Sequence, residues 1–152
     1  MTHGITAKVI EDSISPHGKR ITTLQLRYQR FFHSELLTHR SFSRNSSSSR
    51  AIPVAKMIEQ VRNDPAMPVH YGANQPGMQA KAELEGEDRE NAVRAWEQAA
   101  YYAALVAEQM AELGLHKQVA NRILEPFQFM STVVTATVRC CGSSCVTNPQ
   151  AG

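Results

Sequence analysis

THRSFSRNSSSSR, residues 38–50, is the stretch on which the reading of this chain turns. Between Ser41 and Ser49 six of nine positions are serine, and His39, Arg40, Arg44 and Arg50 stand among or beside them. Serine clusters commonly form linkers, Arg-x-x-Ser patterns suit kinases, and a basic, serine-rich segment can contact nucleic-acid phosphates. Three features point instead to a loop that holds an anion. No Gly or Pro occurs between Thr38 and Ile52, whereas flexible linkers are usually rich in them. Helical patterns flank the stretch closely on both sides, so a linker would divide a domain too small to divide. Hydroxyl and guanidinium groups are also what a phosphate site without glycines requires. Arginine brings a fixed charge and a planar fork of donors, and serine a short donor with little side-chain entropy to lose. Neither the P-loop glycine pattern nor the GxGxxG fingerprint occurs anywhere, which removes both glycine-based routes to a phosphate.

Outward from this stretch the periodicities are clear. Upstream, residues 5–10 and 21–28 read as strands joined by a turn at SPHGKR, a plausible hairpin. Residues 28–40 then shift to helical spacing. Downstream, Pro53 suits the first turn of a helix over VAKMIEQVRN that stops before Pro65. Residues 64–79 hold three prolines and two glycines and read as an ordered loop. From about Glu87 to Leu113, apolar residues recur at Val93, Trp96, Ala100, Ala103, Ala107 and Met110, the spacing of a long helix with Gly114 as its C-terminal cap. A shorter helix from His116 to Leu124 is expected to stop at Pro126, and residues 127–138 are rich in strand-forming, β-branched types. These strands and helices place the chain in the α+β (α/β) class.

The chain has 152 residues, 42% hydrophobic and 20% charged, which fits one globular domain. No apolar run approaches the length of a membrane span and no secretory signal is evident, so a soluble, cytoplasmic protein is expected, with no membrane partner. The net charge of +2 hides an asymmetry. Residues 1–50 hold eight Lys/Arg against three Asp/Glu, a balance of +5, and residues 51–152 hold eight against eleven, a balance of −3. The basic excess sits with the serine stretch and suggests an anionic partner there, small ligand or nucleic acid. Cys140, Cys141 and Cys145 all fall in the tail VRCCGSSCVTNPQAG, too few for a closed metal site, and no metal is expected.

At this point the motif resembles a known signature. THRSFSRNSSSSR is similar to the RHRxxSxNxxSxR pattern of flavin-dependent thymidylate synthases, matching at His39, Arg40, Ser43, Asn45, Ser48 and Arg50. AIPVAKMIEQV, HYGANQPGMQ and NRILEP also look like the phage and bacterial branch of that family, and the resemblance spans roughly residues 5–137. It implies that family's fold, an antiparallel sheet with long helices, and reductive methylation of dUMP to dTMP, with methylenetetrahydrofolate as carbon donor and FAD relaying hydride from NADPH, in a homotetramer. It also implies a bacterial or phage-infected cytoplasm, no covalent cysteine and no nucleic-acid partner. Carried over by position, Thr38, His39, Arg40 and Ser46 would contact FAD, and Glu35, Ser46, Ser47, Ser48, Ser49, Arg50 and Arg122 would hold dUMP, with Arg50 on the phosphate.

The chain departs from the pattern in places. Thr38 replaces the first Arg of RHR, Ser46 the frequent Glu, Ala51 the Tyr after the last Arg, and Glu35 a Gln that often contacts the nucleotide. The family continues past the TVVTAT strand with a helix that carries flavin contacts and an arginine acting on the uracil ring, and nothing in residues 138–152 matches it. The expectation is an incomplete domain over 1–137, its C-terminal part missing, followed by an unrelated, disordered tail over 138–152. No catalytic residue is assigned. The alternative from a different class is a non-enzymatic protein whose basic serine loop binds nucleotide or nucleic acid.

Overall fold

The computed structural model describes residues 4–77 and 79–139. The two upstream strands are longer than their apolar cores suggest, β1 at Thr6–Ile14 and β2 at Lys19–Gln29. The turn between them closes through Gly18 at φ 72°, a left-handed conformation that costs glycine nothing. There Gly18 N–H donates to the Ser15 carbonyl at 3.0 Å and Ser15 N–H to the Lys19 carbonyl at 2.8 Å. β1 pairs antiparallel with β2, with a register shift between Val9 and Glu11 that leaves Ile10 as the extra residue of a bulge.

A short 3-10 turn, Arg30–Phe32, leads into α1, His33–Thr38. The serine stretch, expected as a loop throughout, begins as a strand: β3, Ser43–Ser46, pairs antiparallel with β4, Phe129–Arg139. Nothing in the SRNS sequence favours a strand. The pairing is set by the free edge of β4, whose β-branched residues supply an unpaired row of backbone groups. β4 also pairs along its whole length with β2, giving one antiparallel sheet in the order β1-β2-β4-β3. β4 runs to Arg139, past the domain boundary expected at Thr137. The rest of the expected tail, with Cys140, Cys141 and Cys145, lies outside the described residues.

The helices lie where the spacing places them. α2 is Val54–Asn63 and α3 is Gly86–Glu112, a helix of 27 residues. α3 ends in a left-handed Gly114, with Leu115 N–H reaching back to the Met110 carbonyl at 2.9 Å. The expected helix from His116 splits. α4 covers only Lys117–Ala120, and a 3-10 helix, Asn121–Phe127, continues through Pro126. Pro126 falls near the C-terminal end of that tighter segment, so it does not stop the helix at Leu124 as expected.

The core lies between α2, α3 and this 3-10 segment. Met57, Ile58 and Val61 of α2 meet Ala100, Ala103, Ala104 and Ala107 of α3, with Leu124 fully buried between them. The alanine stripe lets the two helices approach closely. Burying the Leu124 side chain alone stabilises the fold by about 1.5–3 kcal/mol. Trp96 joins this core to the loop after α2. Its indole N–H donates to the Ala66 carbonyl at 2.9 Å, and Phe31 and Phe127 pack edge-on at 5.8 and 5.5 Å. None of the described helices is long and apolar enough to cross a membrane.

Candidate functional site

The serine stretch is held from three sides. At its start, Arg44 folds back over the chain leaving α1, donating to the carbonyls of His39 and, at 2.8 Å, Leu37. His39 stacks on Phe42 with ring centroids 6.1 Å apart. The Thr38 hydroxyl donates to the Glu35 carbonyl at 2.7 Å, capping the helix end. Glu35 and His39 share a hollow of about 250 Å³ with Tyr28, Phe32 and Leu36. Arg40 is exposed and makes no hydrogen bond or ion pair among the described residues.

In β3 the register sets Ser46 opposite Thr132. Their hydroxyls are 2.9 Å apart, and Thr132, only 1% exposed, lies 2.9 Å from the Tyr28 hydroxyl, which in turn lies 2.7 Å from His33 Nδ1. Four side chains from four elements, β3, β4, β2 and α1, thus form one hydrogen-bonded row beneath the start of the loop. Burial pushes the His33 pKa below its usual range, and the nearby Arg30 and Arg44 add to this, so the neutral ring is favoured.

The loop itself, residues 47–52, is clamped by the segment after α4. Asn121, fully buried, donates through Nδ2 to the Ser49 carbonyl at 2.7 Å and the Ile52 carbonyl at 2.9 Å. The Ser49 hydroxyl, also buried, donates to Glu125 Oε1 at 2.8 Å. The same oxygen accepts from Arg30 and from Arg122, each at 3.0 Å. Ser47 is tied to β4 by its backbone N–H, which donates to the Ser131 carbonyl at 3.1 Å. Ser48 Oγ accepts from Arg50 N–H at 3.3 Å, closing a tight turn.

These contacts sort the candidates. The hydroxyls of Thr38, Ser46 and Ser49 are committed to the protein, and that of Ser47 makes a long 3.4 Å contact to the Ser131 carbonyl. Ser48 keeps its proton to donate, and the Arg50 guanidinium is exposed with no partner among the described residues. Arg122 is brought to the loop, through Glu125 rather than directly. Asn121 and Glu125 both lie in the NRILEP segment, but only Arg122 of that segment is assigned a role from the sequence. The further signal in the sequence is that they bracket Arg122, with Glu125 three residues on, the spacing of a helical ion pair.

On the far flank of Ser47 a larger cavity of about 560 Å³ opens between α2 and the start of β4, lined by Arg27, Ile52, Asn63, Gln128 and Ser131 among others. Arg27 is occupied there, paired with Asp64 at 2.7 Å and stacked over Phe129 at 3.9 Å. Among the described residues no cluster of His, Cys, Asp or Glu could hold a metal ion.

No family model matches the chain, and no curated protein matches it either. Solved structures do. A UMP/dUMP methylase, PolB from Streptomyces cacaoi, bound with 5-Br UMP, is similar with a TM-score of 0.69 at 17% sequence identity, over 87% of this chain and 71% of that one. The same methylase bound with 5-Br dUMP gives a TM-score of 0.68 at 16% identity, over 87% and 72%. At identities this low the likeness shows the fold, an antiparallel sheet with helices as in that methylase, and the fold alone.

Proposed function

We propose that this chain binds dUMP at the Ser46–Arg50 loop and takes part in its reductive methylation to dTMP. The observation that carries the reading is the clamped loop. The loop is fixed by Asn121, Glu125 and β4, while the exposed Ser48 hydroxyl keeps its proton to donate and the Arg50 guanidinium has no partner among the described residues. A loop whose order is already established, with one free hydroxyl and one free guanidinium, is a preorganised holder for a phosphate monoester. The likeness of the fold to a methylase solved with halogenated UMP and dUMP supports the same ligand class.

The finer reading is flavin-dependent. In it methylenetetrahydrofolate supplies the carbon, and FAD, when bound, supplies the hydride that it receives from NADPH. The residues present fit a flavin in part. Tyr28, Phe32, Leu36 and His39 give aromatic and aliphatic walls suited to a flat ring, and the exposed Arg40 gives a cation for a diphosphate. A hollow of about 250 Å³ takes only part of such a cofactor, so the remainder would rest on a second copy, in keeping with the proposed homotetramer. Within this chain, Arg50 and Ser48 bind and orient the nucleotide. Thr38, Ser46, Ser47 and Ser49 shape the backbone that presents them, and Arg122 adds charge beside them. Glu35, exposed at the mouth of the hollow, repels a second anion from that side.

The test is direct. Purified chain is mixed with FAD and its visible spectrum recorded, and dUMP-dependent NADPH oxidation and dTMP formation are then followed with methylenetetrahydrofolate. Flavin uptake with dUMP-dependent turnover is the expected result. A colourless protein that takes up no FAD removes the flavin reading, and one that also fails to bind dUMP removes the nucleotide reading.

A further inference from the structure

The Glu125 carboxylate stands where a ligand's oxygen would be expected. Its Oε1 accepts from the Ser49 hydroxyl at 2.8 Å and from two guanidiniums, Arg30 and Arg122, each at 3.0 Å. Two arginine forks and a hydroxyl converging on one oxygen are the donor set of an oxyanion site. The partners differ in freedom. The side chains of Arg30 and Glu125 are 19% and 22% exposed, whereas that of Arg122 is 54% exposed. Two cations against one anion leave the group one positive charge in excess.

We infer that Glu125 is a specificity-determining residue: it occupies the anion site of Arg30, Arg122 and Ser49, and it yields Arg122 only to a dianionic phosphate monoester. This rests on the reading that the adjacent loop holds a nucleotide phosphate. The physical reason is competition. Glu125 is three residues from Arg122 on the same turn, so it competes at a high effective concentration. A monoanion offers Arg122 no more charge than the carboxylate it already has. A phosphate monoester carries about −1.5 to −2 charge and three acceptor oxygens, enough to draw the exposed Arg122 away. Arg30 and Ser49 remain on Glu125 and keep it satisfied, so the exchange leaves no half-buried carboxylate unpaired. Neutral nucleosides and monoanionic diesters are refused by the same arrangement.

The experiment uses the full chain and its Glu125→Gln variant, which keeps the hydrogen-bond acceptor and removes the charge. Binding of inorganic phosphate, largely dianionic at about pH 8, is compared with binding of dimethyl phosphate, a monoanion. The unmodified chain should prefer inorganic phosphate, and the preference should shrink about fivefold in the variant, as the monoanion gains access to the arginines. An equal preference in both proteins, or no binding of either anion to either protein, overturns the inference. A second measurement needs no variant: the Glu125 carboxyl carbon resonance should shift as phosphate is titrated into the unmodified chain, and an unmoved resonance overturns it too. dUMP separates this inference from the function it rests on. If the phosphate results hold but dUMP binds no more tightly than phosphate, the nucleotide reading fails and Glu125 keeps its role. If dUMP binds tightly and the anion preference is unchanged, Glu125 loses its role and the nucleotide reading stands.

Discussion

Asn121 offers the sharpest test of how the loop is held. Its side-chain amide is fully buried and is the only side-chain donor to the Ser49 and Ile52 carbonyls among the described residues, at 2.7 and 2.9 Å. Replacing it with alanine removes both bonds and leaves two carbonyls, one of them on the buried Ser49, without a partner. A buried polar group left unsatisfied costs about 1–3 kcal/mol. Asn121 Oδ1 is itself buried without a partner among the described residues, so its loss offsets about 1 kcal/mol of that cost. The net loss for Asn121→Ala is about 3 kcal/mol. For a domain near 150 residues each kcal/mol moves Tm by about 2–4 °C, so the melting temperature should fall by about 6–12 °C. Asn121→Asp should be worse, because it sets an unpaired charge against two carbonyls. Calorimetry reads the melting temperature, and amide hydrogen exchange reads the loop, where the Ala51 N–H bonded to the Ser48 carbonyl at 3.1 Å should lose protection. A Tm within about 2 °C of the parent, with Ala51 still protected, would refute the claim that this side chain clamps the loop.

Arg50→Ala should weaken dUMP binding by about 1.5–3 kcal/mol, roughly ten- to hundredfold, in an isothermal titration, while Tm stays put because the guanidinium is exposed and unpartnered among the described residues. Leu124→Ala should cost about 2–5 kcal/mol in denaturant unfolding, since the side chain is fully buried between α2 and α3. Hydrogen bonds from Arg20 and then Thr22 lower the Asp12 carboxyl from the ordinary aspartate value of 3.8 to about 2. A carboxyl depressed in the folded state stabilises above its unfolded pKa and ceases to do so as pH falls through its folded one. Stability should therefore decline between about pH 4 and pH 2, and Asp12→Asn should flatten that part of an acid-unfolding profile.

What could be read from the residues and what could not divides along a physical line. β2, β4, α2 and α3 were legible because their own side chains declare them, by alternation, by β-branched content or by a helical stripe with a terminal glycine. β3 was not, because Ser43–Ser46 has no intrinsic strand preference and pairs only because Thr132–Thr135 presents an open edge. The continuation through Pro126 was missed because proline is judged as an α-helix breaker, and the segment is a 3-10 helix in which Pro126 stands one residue from the end. At the site, the loop and its two free donors were legible from the spacing of His39, Arg40, Ser43, Asn45, Ser48 and Arg50. The residues that hold the loop were not. Asn121 and Glu125 lie more than seventy positions away from Ser49, and only the fold brings them to it. The row from His33 through Tyr28 and Thr132 to Ser46 was hidden for the same reason.

The two borders of the sheet are built unalike, and each guards against the same hazard. An open strand border is a template on which another chain can add itself and start a fibre. β3 answers by being four residues long and polar, too brief to seed anything. β1 is nine residues long and exposed along its whole length, with Val9, Ile10 and Ile14 among its outward apolar groups. Its defence is the bulge at Ile10, which breaks a flat border midway, together with the exposed charges of Lys8 and Glu11, which an incoming strand would crowd. Deleting Ile10 would straighten that border, and with it the chain would trade one irregular residue for a propensity to aggregate.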